Sequence, residues 1–272
     1  MSSGDAQARL TELSQWASAQ GPEPLTHRYG TGSEQAADLL LPAGAGPHRV
    51  AVLIHGGFWG AHFTRTTMAA LAVDLAERGW ASWNVEYRRL GSGGGVPDTL
   101  EDLRAALDAL LDLAAPVDPT RVAVIGHSAG GQLALCLAGA PLVGAVVSLA
   151  GVCDLASAAR GRIGDGAALE FMAGTPEERP GAYAIADPLA LLPSGTRALI
   201  VHGDADDRVP VRHSRDYARA AQAAGDDCEL LELAGVGHFA LIDPRTPAWA
   251  TVAERLDGLL SRGRGSPRRE PR

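Results

Sequence analysis

The sequence holds Ser128 between Gly126 and Gly130 in the run Gly-His-Ser-Ala-Gly, directly after the apolar stretch 122–125 (VAVI) and before the helical run 131–139 (GQLALCLAG). A strand, a sharp turn and a helix lift a side chain above the end of a sheet, and the flanking glycines leave the backbone room to turn that tightly. A hydroxyl held there can attack a carbonyl carbon, provided a base takes its proton and donors receive the developing oxyanion.

Candidate donors come from His55-Gly56-Gly57-Phe58-Trp59, which follows the apolar run 50–54. Glycines let main chain approach a reacting carbonyl closely, so the N–H groups of Gly57 and Phe58, with that of Ala129 after the serine, are the expected oxyanion hole. His55 is expected to brace this loop by hydrogen bonds, and Trp59 either lines an acyl pocket or plugs the core. The orienting acid is expected in the stretch 198–210 (ALIVHGDADDRVP), which puts Asp204, Asp206 and Asp207 just past an apolar run. A calcium loop does not fit there, because Arg208 and Pro210 occupy positions that need oxygen ligands. Of the eight histidines His213 and His238 follow all three acids; His213 has no motif around it, whereas His238 stands in the turn 234–241 (AGVGHFAL) after the final strand run, giving the order Ser, Asp, His. His127 and His202 read as structural. On spacing alone the three aspartates remain alternatives.

These loops must be held by a scaffold, and the pattern supplies one. Apolar strand runs at 36–41, 50–54, 81–85, 121–125, 143–149, 198–201 and 228–233 alternate with helical periodicity at 67–78, 100–113, 129–137, 214–224 and 249–260. Such alternation predicts a mostly parallel sheet of about eight strands covered by helices on both faces. A short helix at 5–20 precedes it. The stretch 154–196 is longer than a crossover needs and is expected to form a small cap insertion over the sheet's C-terminal edge. Gly91–Gly95 (GSGGG) lacks the Lys-Ser/Thr of a phosphate loop and reads as a connection. The basic stretch 262–272 is expected to be a disordered tail on a single domain spanning 1–272.

Composition removes several alternatives. The net charge is −8, and all 24 basic residues are Arg, so a basic nucleic-acid footprint, Schiff-base lysines, Ser–Lys dyads and a P-loop lysine are not expected. Cys136, Cys153 and Cys228 form no CxxC pair and read as buried thiols in a reducing compartment. With neither a signal layout at the N-terminus nor an apolar run near 18 residues, a cytoplasmic protein without membrane spans is expected.

Together these residues resemble the α/β-hydrolase superfamily from about Leu39 to Leu260. HGGFW is similar to the HGGxW motif of kynurenine formamidases (arylformamidases) and hormone-sensitive-lipase-type esterases, and GHSAGG to their nucleophile elbow. The stretch HGDADDRVPVRHS resembles the acid loop of prolyl-oligopeptidase-type hydrolases, whose D-x-x-V-P pattern falls on Asp206. The resemblance implies a serine hydrolase of small-molecule esters or N-formyl amides, with Ser128, His238 and Asp206 as the triad and neither cofactor nor metal. Trp59, Phe171, Met172 and Phe239 are the expected pocket residues. A small peptidase and a non-catalytic ligand-binding scaffold are the alternatives.

Overall fold

The computed structural model describes residues 3–260. The tail expected at 262–272 lies outside the described residues.

The strand β3 (His48–Ile54) shows why its sequence is apolar without alternation. Val50, Val52 and Ile54 enter one core while Ala51 and Leu53 enter another on the opposite face, as the twofold period of a strand requires when both faces are covered. Beside it run β1 (Leu25–Arg28), β2 (Ala36–Leu40), β4 (Ala81–Val85), β5 (Val117–His127), β6 (Val143–Leu149), β7 (Arg197–Gly203) and β8 (Cys228–Leu233), in the spatial order β1-β2-β4-β3-β5-β6-β7-β8. The β1–β2 and β2–β4 pairs are antiparallel and the remainder parallel. This is the expected mostly parallel sheet. Only β1 has no counterpart among the predicted strand runs, because Leu-Thr-His-Arg is an edge strand exposed along most of its length and carries little hydrophobic signal.

Crossovers between parallel strands require helices, and these form the two outer layers. On one face α1 (Ser3–Gln20), α2 (Ala69–Glu77) and α9 (Pro247–Leu259) bury Leu13, Leu71 and Trp249. On the other, α3 (Asp98–Asp108), α4 (Ala129–Cys136) and α8 (Arg212–Ala223) bury Leu103, Leu133 and Tyr217. In α3, Asp98 and Glu101 sit in the first turn, where they complement the helix dipole, and Leu100, Leu103 and Leu107 repeat at helical spacing toward the sheet.

The stretch 154–196 folds as α5 (Leu155–Arg160), α6 (Ala167–Met172) and α7 (Pro180–Ala186), with short 3₁₀ turns between and after them. Buried Asp187 ties its two ends together by accepting from the N–H groups of Leu155 (3.2 Å), Ala156 (3.1 Å) and Leu189 (3.2 Å). The three cysteines are free and buried, and burial pushes each thiol up to about 12. Among the described residues no helix is long and apolar enough to cross a membrane, and no group of three or more His, Cys, Asp or Glu is arranged to hold a metal ion.

Candidate active site

Ser128 occupies a turn that few residues tolerate. Its backbone lies at φ 57° and ψ −120°, outside the regions favoured by L-residues, and such strain persists only where the surroundings impose it. They do so here. The Ser128 N–H donates to the Leu149 carbonyl (2.8 Å), and the Ser128 carbonyl accepts from Gly131 (2.9 Å) and Gln132 (3.2 Å) at the start of α4. A Cβ at Gly126 would fall on the Gly130 carbonyl, and one at Gly130 on the carbonyls of Ile54 and His55. The glycine spacing is therefore a steric demand of β5, α4 and the end of β3 meeting in one place.

The loop after β3 comes against this turn through Gly56, where a Cβ would crowd the His127 carbonyl and the Ser128 Cβ. Phe58 and Trp59 follow at φ 51° and 57°. Among the described residues, no hydrogen bond occupies the N–H groups of Gly57, Phe58 or Ala129. His55 braces the loop: its Nδ1 lies 2.8 Å from the Gly56 carbonyl and its Nε2 2.8 Å from Glu86, while its own carbonyl accepts from the Tyr87 hydroxyl at 2.7 Å. Glu86 in turn accepts from the Arg65 N–H at 3.0 Å.

Two later loops bring the acid and the histidine together. His238 opens a 3₁₀ turn, and its Nδ1 lies 2.7 Å from Asp206 Oδ2. The other carboxylate oxygen accepts from the N–H groups of Arg208 (2.8 Å) and Val209 (2.9 Å). Burial by itself raises the Asp206 carboxyl. Hydrogen bonds from His202, His238 and the Val209 backbone outweigh it and hold the group well below the usual carboxylate range. The other two acids lie elsewhere: Asp204 accepts from the Gly235 N–H at 2.6 Å on the surface, and the Asp207 side chain is about half exposed beside Arg208. His127, inside the elbow, donates from Nε2 to the His238 carbonyl at 3.1 Å. Burial, and then the neighbouring His238, push His127 down to about 3, so it stays neutral.

Ser128 and His238, only 4% and 5% exposed, line one cleft of about 50 Å³. Its walls include Gly57, Phe58 and Phe239 from the expected set, and also Leu10, Phe63 and Ile242. Trp59, Phe171 and Met172, expected as pocket residues, are instead core residues at 1% exposure. Trp59 stacks on Phe171, with ring centroids 4.9 Å apart at 13°, and donates from Nε1 to Gln132 at 2.9 Å. This stack joins α6 to the loop after β3, and Phe58 rests against Gly164 in the same insertion. Leu10 escaped the sequence reading because helical spacing in α1 marks a buried face without saying what it is buried against.

A protein with this strand order and a strained serine turn between β5 and α4 has the α/β-hydrolase fold. Residues 69–256 match the prolyl oligopeptidase family, and the chain belongs to that family. It is 30% identical over 179 residues to dipeptidyl peptidase family member 2 of Caenorhabditis elegans, covering 63% of this chain and 20% of that protein. The chain thus spans a fifth of that relative's length. Among solved structures, esterase B of Lactobacillus rhamnosis superposes with a TM-score of 0.76 at 18% identity, over 94% of this chain and 92% of the other. A thermophilic esterase of Thermogutta terrifontis gives 0.72 at 24% identity, over 92% and 96%.

The buried histidines make stability pH-dependent. His213 has both ring nitrogens buried and, among the described residues, unbonded; burial pushes it down to about 4. Below pH 6.5 the unfolded chain binds protons that native His127 and His213 refuse, so stability falls as pH drops from about 6.5 toward 4, by up to about 1.4 kcal/mol per pH unit for each. Asp206 works in a lower window, since a depressed carboxyl loses its contribution only below its unfolded value. Thermal unfolding should therefore give a Tm that declines between pH 7 and pH 5. His213→Leu should flatten that decline and raise Tm at pH 5. An unchanged slope in this variant would show that His213 does not carry the effect.

Proposed function

We propose that this chain is a serine hydrolase of small carboxylic esters, with Ser128 as nucleophile, His238 as general base and Asp206 as the acid that orients it. The observation carrying the reading is the 2.7 Å contact of His238 Nδ1 with Asp206, made on the wall of the cleft that Ser128 lines. A carboxylate on Nδ1 leaves Nε2 as the basic nitrogen. His238 takes the Ser128 proton as Oγ bonds to the ester carbonyl carbon, and the N–H groups of Gly57, Phe58 and Ala129 receive the oxyanion. The leaving alcohol departs with the proton from His238. Water, activated by the same nitrogen, then breaks the acyl–Ser128 bond and restores the hydroxyl. None of these steps calls for a metal or cofactor.

The walls favour a short acyl group. A volume of about 50 Å³ has room for only a few water molecules, each needing about 10–15 Å³ on the same measure, and Leu10, Phe63, Phe239 and Ile242 wall it with apolar bulk. The Thermogutta esterase has been solved with propionate and with butyrate bound, which agrees with this reading. The same small room also favours a formyl group, the smallest acyl unit, so an N-formyl amide is the second reading. A peptide chain fits it least.

A substrate panel separates these readings. Acetate and propionate p-nitrophenyl esters should exceed octanoate in kcat/KM by at least about tenfold, because one misfitting methylene costs roughly 1–3 kcal/mol in a tight pocket. Leu10→Ala should narrow that ratio without slowing acetate. A rise in kcat/KM from acetate to octanoate would end the short-acyl reading. An N-formyl arylamine turned over faster than any ester would favour the formamide, and faster cleavage of a dipeptide anilide would favour a peptidase.

A further inference from the structure

The triad acid has a second histidine on it. His202 is the last residue but one of β7 and has no exposed surface. Its Nε2 faces two oxygen acceptors, the Val209 carbonyl at 2.9 Å and Asp206 Oδ2 at 3.2 Å. Two acceptors on one nitrogen require that nitrogen to carry a hydrogen. Its Nδ1 lies 2.7 Å from the Ser214 hydroxyl on α8, so both edges of the ring are held. Asp206 Oδ2 is the same oxygen that His238 Nδ1 contacts at 2.7 Å. One carboxylate oxygen thus serves two imidazoles, one at the cleft and one beneath it.

We propose that His202 is a positioning residue for the reaction, donating from Nε2 to Asp206 and thereby setting both the orientation of the carboxylate and the negative charge it offers to His238. The inference rests on the reading of Asp206 and His238 as acid and base. A donor on Oδ2 withdraws charge from the oxygen that stabilises imidazolium. Without it Asp206 holds a proton on His238 more tightly, and His238 becomes free to act as a base only at higher pH. Val209 reinforces the geometry from both sides: its N–H donates to Asp206 Oδ1, and its carbonyl accepts from His202.

The other ionisable groups around His202 do not compete for this effect. His127 and His213 are pushed down to about 3 and about 4, and Cys153, which Ser214 also reaches, is pushed up to about 12. Glu232, beside His202 in the register of β7 and β8, pairs with Arg215 at 2.5 Å, which holds it below the usual carboxylate range.

The test is the pH profile of kcat/KM for p-nitrophenyl acetate in the full chain. His202→Phe keeps a ring but removes the donor, and should move the acidic limb upward by about half a pH unit or more, which corresponds to about threefold in proton affinity. Its kcat should fall about tenfold, the scale on which outer partners of a site act, with KM within about twofold, since orientation of the base matters in the transition state rather than in binding. His202→Gln, whose amide N–H reaches toward Asp206, should restore both. Ser214→Ala, the smaller perturbation if the Phe variant does not fold, should shift the limb in the same direction by a lesser amount. An acidic limb that stays fixed in the Phe and Ala variants, or equal losses in Phe and Gln with no shift, would overturn the proposal while Ser128 still reacts with a fluorophosphonate. Failure of the unmodified protein to label at Ser128 would instead overturn the triad reading and this inference with it.

Discussion

Ser128→Ala is expected to abolish fluorophosphonate labelling and to lower ester hydrolysis by a factor on the order of 10⁵ to 10⁶, the loss that removal of an acyl-transfer nucleophile brings. The fold should survive. Alanine keeps the Cβ that already sits between Gly56 and α4, and the bonds that impose the turn, from the Ser128 N–H to Leu149 and from Gly131 and Gln132 to the Ser128 carbonyl, are all main-chain. The strain at φ 57° supplies a control. Ser128→Gly should also be inactive, yet glycine adopts this backbone without penalty, so it should unfold at a higher Tm than the alanine variant, by about 1 kcal/mol in stability. Mass spectrometry of the labelled peptide checks the site. Labelling at Ser148, buried on β6 within 3.8 Å of the Cys153 thiol, would remove Ser128 as nucleophile.

The parts of the fold legible in the sequence were those where one physical demand leaves one pattern. A strand buried on both faces must be apolar along its length, and Val50–Ile54 announces itself that way. A turn with no room for Cβ atoms must carry glycine, and Gly126 and Gly130 mark it. Where a pattern serves two ends, the sequence was silent. A tryptophan after a glycine loop can face a ligand or a core, and Trp59 faces Phe171. An exposed edge strand carries no hydrophobic period, so Leu25–Arg28 passed unseen. His202 reads like any strand-end histidine until Asp206 is found 3.2 Å away. The cleft walls Leu10, Phe63 and Ile242 come from three separate elements, and no local spacing joins them.

The three aspartates show the same limit and lead to the second large effect. Asp204, Asp206 and Asp207 are equal by spacing, and a resemblance singled out Asp206; in three dimensions they are far from equal. Only Asp206 is buried against His238, with its far oxygen held by the Arg208 and Val209 N–H groups and its near oxygen shared with His202. In the mechanism proposed above, an oxygen in that place receives Nδ1–H, keeps Nε2 basic, and stabilises the imidazolium that forms as Ser128 gives up its proton. Asp206→Asn presents an amide of nearly the same shape. Its NH₂ group turned toward His238 would hold the proton on Nε2, the wrong nitrogen, and its neutral charge would not stabilise imidazolium. A kcat loss of roughly 10⁴ follows by the same logic that governs other Ser-His-Asp sites. KM should change little, because the carboxylate does not touch the substrate. Asp204→Asn keeps an acceptor for the Gly235 N–H, and Asp207→Asn alters a half-exposed group, so each should cost about tenfold or less, the range of surface changes that only shift a loop. Steady-state kinetics of the three variants on one acetate ester decides the matter. If Asp204→Asn or Asp207→Asn produced the larger fall in kcat, the contact between Asp206 and His238 would be structural and the acid of the reaction would lie elsewhere in this loop.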